Sequence, residues 1–186
     1  MTTLDIHLFG SVVLRQRARE VTSFDARLRR LADDMLDTMR HAGGAGLAAN
    51  QVGILKRLFT WEVEDRHGAV CNPVIEDASE ELQEGEEGCL SFPGLFYPLE
   101  RPLRVRVRHQ DPAGDEQTTD AEGFLARVLL HELDHLDGVL FIDHLARHDR
   151  KEALKRMREY RLVHDGSDRL GSDLAGGGLQ LGRYEG

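Results

Sequence analysis

Residues 123 to 138 read GFLARVLLHELDHLDG, and the fold turns on how this stretch is read. Phe124, Leu125, Val128, Leu129 and Leu136 recur at helical spacing, which predicts one helix from near Gly123 to Gly138. Within it His131 and His135 stand at i and i+4. Both imidazoles therefore project from one face, one turn apart, close enough to share a metal ion. Glu132 sits one residue on, beside such a metal rather than on it, where it can take a proton from water. This is the H-E-x-x-H arrangement of metal-dependent hydrolases. The alternative is two exposed histidines on an acidic helix. Against it, Leu129, Leu130, Leu133 and Leu136 make the helix largely apolar. Burying two imidazoles and a carboxylate among them costs free energy unless a metal or hydrogen bonds satisfy them.

A catalytic centre of this kind normally takes a third protein ligand and keeps one position open. Cys89, in Glu87-Gly88-Cys89-Leu90-Ser91, is a candidate, because a metal stabilises the thiolate it binds. A lone cysteine is also commonly a small buried hydrophobe. Cys71 has only that second reading and is expected to be structural.

Working outward, Phe24 to Arg40 places Leu28, Leu31, Ala32, Met35, Leu36 and Met39 on a wide apolar stripe, which predicts an N-terminal helix. Thr22 or Ser23 is its expected cap, and Gly43 and Gly44 end it. A small-residue loop follows from Gly43 to Gly53. Strands are expected over Leu58 to Val63 and Ala69 to Ile75, the second interrupted by Asn72-Pro73. Asp77 to Glu87 is strongly acidic and reads as a solvated loop or edge. Val105, Val107 and His109 alternate with arginines as a half-exposed strand, and Asp111 to Gly114 is a turn. Val139 to Ile142 reads as a short buried strand, and an amphipathic helix spans roughly Asp149 to Leu162. Residues 164–186 are Gly-rich without periodicity and are expected to be a mobile tail behind a single domain over 1–163. The order predicts an α+β fold: small mixed or antiparallel sheets around a central metal-ligand helix, with further helices towards both ends.

The totals narrow the function classes. A chain of 186 residues holds one domain with a sizeable core. Its net charge of -9 argues against bulk attraction to DNA or to an anionic membrane. No apolar run is long enough to span a bilayer, and MTTLDIHLFGS does not read as a signal peptide, so the expected location is the cytoplasm. Arginine outnumbers lysine, a bias seen with high-GC bacterial genomes.

Three blocks stand in order: Gly44-Ala45-Gly46-Leu47-Ala48-Ala49-Asn50-Gln51, then Glu87-Gly88-Cys89-Leu90-Ser91, then His131-Glu132-Leu133-Asp134-His135-Leu136-Asp137-Gly138. Together they resemble the peptide deformylases, and the resemblance runs from about Phe9 to about Tyr160. It implies removal of the formyl group from N-terminal formyl-methionine of new polypeptides, with release of formate. It implies Cys89, His131 and His135 as metal ligands, and Glu132 as the group that deprotonates water and then protonates the leaving amine. Gln51, through its side-chain amide, and Leu90, through its backbone N–H, would stabilise the oxyanion. The backbone at Ala45 and Gly46 would approach the substrate, which is expected to lie as an extended strand along a sheet edge. Phe124 and Val128 would wall the methionine pocket, although ordinary core packing explains them equally well. The implied ion is Fe(II), with Zn, Ni or Co able to replace it. The sequence departs from the family pattern at Leu130, where many relatives carry glutamine, and at Phe96-Tyr97, where several carry an arginine.

Arg150, Lys151, Lys155, Arg156, Arg158 and Arg161 make the last helix basic within an acidic protein. A solvated face with i,i+4 pairs such as Glu152 to Arg156 accounts for this. In some relatives this helix docks on the ribosome, so the resemblance adds ribosomal RNA as a partner. Two other functions fit the H-E-x-x-H helix: a zinc endopeptidase whose third ligand is not Cys89, and a copy that binds formyl-peptides without turnover.

Overall fold

The apolar stripe of the N-terminal segment becomes the buried face of α1 (Ala26–His41), through Leu28, Ala32, Met35 and Met39. Its cap is Asp25 rather than Thr22 or Ser23. The Asp25 carboxylate accepts from the N–H groups of Arg27 (2.9 Å) and Leu28 (3.0 Å), which the earlier residues lie too far outside the first turn to reach. The computed structural model describes residues 3–164 and 169–170, and its α+β architecture matches the expectation.

A five-stranded antiparallel sheet runs in the order β2 (Gly46–Ala48), β3 (Leu58–Val63), β4 (Arg66–Ala78), β7 (Arg104–Gln110) and β8 (Glu116–Glu122). Side chains alternate across a strand, and β3 makes the consequence plain. Leu58 packs with Met35, Met39, Leu47 and Cys71 on the α1 side. Phe59 and Trp61 pack with Leu129, Leu133 and Leu136 of α2 (Gly123–Leu136) on the other. The sheet is thus held between α1 and α2. Burial pushes the Cys71 thiol up to about 12, as a structural cysteine requires.

A separate hairpin pairs β5 (Leu82–Cys89) with β6 (Phe92–Pro102) through a turn at Leu90-Ser91. Phe92, Leu95 and Tyr97 of this hairpin pack with Leu140, Phe141, and Ala153 and Met157 of α3 (Arg147–Val163). At the N-terminus β1 (Ile6–His7) pairs antiparallel with β9 (Arg169–Leu170). The remainder of the expected tail beyond His164 lies outside the described residues.

Three local expectations change. The loop predicted over Gly43 to Gly53 contains β2 and a 3-10 turn, Ala49–Val52. The acidic run from Asp77 is the end of β4 and most of β5; its side chains are largely exposed, but Glu87 is buried. The strand expected over Val139 to Ile142 is a 3-10 turn, Phe141–Asp143, because the Asp143 carboxylate folds back to accept from the Leu140 N–H at 3.0 Å.

Gly138 ends α2 with φ of 75°, and a Cβ there would lie 2.7 Å from the Arg15 carbonyl oxygen. Backbone cannot yield as a side-chain tip can. Gly138→Ala is expected to lower unfolding stability by about 1–3 kcal/mol in urea titrations, with an unchanged m-value.

Candidate metal centre

The three sequence blocks converge. The first forms β2 and the 3-10 turn after it, the second the end of β5 and its hairpin turn, the third the C-terminal half of α2. Cys89, His131 and His135 are all buried, and their donor atoms lie within 4.8 Å of one another. His135 Nε2 is 3.2 Å from Cys89 Sγ and 3.1 Å from His131 Nε2.

These spacings test the fit of an ion. Tetrahedral coordination with metal–nitrogen bonds of about 2.05 Å and metal–sulfur bonds of about 2.3 Å requires N···N near ~3.3 Å and N···S near ~3.6 Å. The observed separations are a few tenths of an ångström shorter, so a small adjustment admits the ion. The charge pattern agrees. Burial disfavours a protonated His131, but hydrogen bonds to Cys89 and Glu87 outweigh it and hold the imidazole well above its ordinary range. Burial and the positive charge of His131 push His135 well below it. The pocket therefore stabilises one positive charge among these donors, and a divalent cation can take the place of that proton.

The other ring nitrogen of His131 is fixed by Glu87, with Nδ1 2.6 Å from Oε1. Glu87 also accepts from Arg101 Nε at 3.0 Å and Nη2 at 2.7 Å, and from Arg127 Nη1 at 3.2 Å. Burial alone would raise the Glu87 carboxyl; His131 and Arg101 hold it far below the usual carboxylate range. A carboxylate behind a ligating histidine sets the ring's tautomer and orientation. Glu87, Arg101 and Arg127 were not assigned roles from sequence. The available signal was that Glu87 shares the inward side of β5 with Cys89, two residues on.

Glu132 is 3% exposed, and its Oε2 has no hydrogen-bond partner among the described residues. Burial pushes its carboxyl up to about 7. It presses on Gly46: a Cβ at that position would fall inside the contact radius of Oε1. Gln51 is buried with Nε2 3.2 Å from Ser91 Oγ and 3.5 Å from Cys89 Sγ, while its Oε1 accepts from the Ala48 N–H at 2.8 Å. Leu90 is buried in the hairpin turn beside Cys89. Val128 belongs to the apolar cluster between sheet and α2, with Phe124 and Ala45 partly buried against it. That placement suits both core and pocket wall.

A model of the polypeptide deformylase family matches residues 3–151. The peptide deformylase of Parafrankia sp. (strain EAN1pec) is 51% identical over 160 residues, covering 86% of this chain and 87% of that protein. That of Thermotoga neapolitana is 47% identical over 154 residues, covering 83% and 94%. The crystal structure of peptide deformylase from Ehrlichia chaffeensis superposes with a TM-score of 0.84 at 34% identity, covering 88% of this chain and 99% of that one. The enzyme from Thermus thermophilus gives 0.80 at 44% identity, covering 87% and 97%.

The Gly46–Glu132 contact yields a measurable consequence. Gly46→Ala is expected to displace the Glu132 carboxylate and cut kcat/KM about 100-fold, with metal content unchanged by elemental analysis.

Proposed function

This chain belongs to the polypeptide deformylase family, and from that premise we propose how its side chains remove the formyl group from N-terminal formyl-methionine of new polypeptides. The observation that carries the reading is the convergence of one thiol, two imidazoles, an amide and a buried carboxylate whose Oε2 has no partner among the described residues. Cys89, His131 and His135 would hold a divalent ion. When bound, that ion supplies Lewis acidity, lowering the pKa of water and polarising a carbonyl oxygen.

The remaining work falls to the protein. Glu132 takes one proton from the attacking water as its oxygen bonds to the formyl carbon. Gln51 Nε2 and the Leu90 N–H donate to the oxyanion that develops on that carbon. Glu132 then gives its proton to the leaving nitrogen as the C–N bond breaks, releasing formate and a free α-amine. The substrate backbone lies along β2, which terminates the five-stranded sheet and leaves one edge for pairing. Gly46 lets that backbone approach Glu132, and Phe124 and Val128 line the apolar pocket for the methionine side chain.

The ion we propose is Fe(II) in the cell. One thiolate and two imidazoles also accept Zn, Ni or Co. As a partner we propose the ribosome, through α3. Its inner face is Ala153 and Met157, whereas Lys151, Lys155 and Arg158 share an exposed stripe. Part of the helix's charge is already paired, Arg150 with Asp143 at 3.0 Å and Lys155 with Glu159 at 3.8 Å. Among the described residues no helix is long and apolar enough to cross a membrane.

Formate release from a formyl-Met peptide tests the chemistry. Glu132→Ala should lower kcat by about 100-fold or more at unchanged metal content, and Gln51→Ala by about 100–1,000-fold. Wild-type rates in both would sink the assignment. For docking, Lys151→Glu with Lys155→Glu and Arg158→Glu should abolish salt-sensitive cosedimentation with ribosomes while leaving peptide deformylation intact.

A further inference from the structure

Asn50 is fully buried in the 3-10 turn that also carries Gln51. Its Nδ2 donates to the carbonyl oxygen of His135 in the last turn of α2. The orientation of the amide follows from chemistry, since only the N–H end can face a carbonyl. The same carbonyl accepts from the Gly138 N–H at 3.0 Å, so the backbone of this ligand is gripped from two directions. Asn50 Oδ1 and His135 Nδ1 are both buried without hydrogen-bond partners among the described residues. One is an acceptor, and the other is a donor when Nε2 carries the lone pair for a metal. An apolar side chain would fill this position without leaving a polar atom unsatisfied, so packing alone does not account for an asparagine.

We propose that Asn50 is a positioning residue of the metal centre. It locks the His135 end of the ligand helix to the turn bearing Gln51, so that a metal ligand and an oxyanion donor keep a fixed separation. The inference rests on His135 being a ligand.

The test loads full-length protein with Co(II) anaerobically and reads three quantities: the visible spectrum, Co(II) affinity by chelator competition, and kcat and KM on a formyl-Met peptide. Asn50→Leu keeps the branched shape, with somewhat greater bulk, and removes both polar atoms. Asn50→Asp keeps the shape and replaces the donor with an oxygen, and it decides the matter if the leucine variant does not fold. The expected result is a Co(II) affinity lowered about 10–100-fold, shifted d–d bands, and reduced kcat with KM held within about twofold. Wild-type affinity and bands in a folded variant would overturn the proposal, even if thermal stability fell. A His135→Ala variant that keeps wild-type Co(II) affinity and d–d bands would overturn the ligand assignment, and this inference with it.

Discussion

Glu87 gathers four hydrogen bonds from three buried side chains onto one carboxylate: two from Arg101, one from Arg127 and one from His131. Arg127 and His131 are one turn apart on α2, and Arg101 stands on β6. Arg101 also reaches Asp134 of α2 at 2.8 Å, and Asp134 is 2.8 Å from His144. This network joins α2 to the hairpin that supplies Cys89. Buried charges are costly to desolvate, and removing one partner from such a set typically costs about 3–5 kcal/mol. The exposed pairs elsewhere, such as Arg106 with Asp120, are solvated and carry little of the fold. The relative position of Cys89 and His131 therefore depends on one carboxylate that touches no substrate.

That dependence explains what could be read beforehand. The helix with His131, Glu132 and His135 was legible because its own periodicity and spacing define it. The β5–β6 hairpin was not. Glu84 and Glu86 are exposed while Glu87 is buried, and nothing in the acidic run separates them. The partners that make burial possible, Arg101 and Arg127, lie 14 and 40 residues further on. Pro93, Pro98 and Pro102 concealed β6, which tolerates them as one of only two strands in its sheet. β8, reading EQTTDAE, is almost wholly polar and is held by cross-strand pairing with β7. The deformylase motifs grouped Cys89 with His131 and His135, which the fold brings together, where propensity could not.

The site also draws on more than one core. Cys89 packs with the hairpin and α3, Leu90 with the α1 cluster, and the ligand helix with the opposite face of the sheet. The Leu90-Ser91 turn is the junction: Ser91 accepts from Gln51, and its carbonyl accepts from the Phe9 N–H at 2.9 Å. The proposed ligands and oxyanion donors thus sit on strand ends and helix turns whose positions are set by packing. Such elements hold reacting groups more tightly than free loops.

Glu132 departs from this satisfaction of polar groups, as Asn50 Oδ1 and His135 Nδ1 also do. Glu87 nearby accepts four hydrogen bonds, yet Glu132 Oε2 is buried without a partner among the described residues. Packing could have removed that defect with an apolar side chain, or a donor at position 46 could have covered it. Instead the position holds glycine, so the carboxylate faces backbone at close range. A buried carboxylate with a vacant acceptor is unfavourable in the resting protein and raises the affinity for a proton, in line with a carboxyl pushed up to about 7. Local frustration of this kind is sustained only where surrounding structure is rigid enough to enforce it. The Glu87 network provides that rigidity on one side of α2, and the sheet packed against Leu129 and Leu133 provides it on the other.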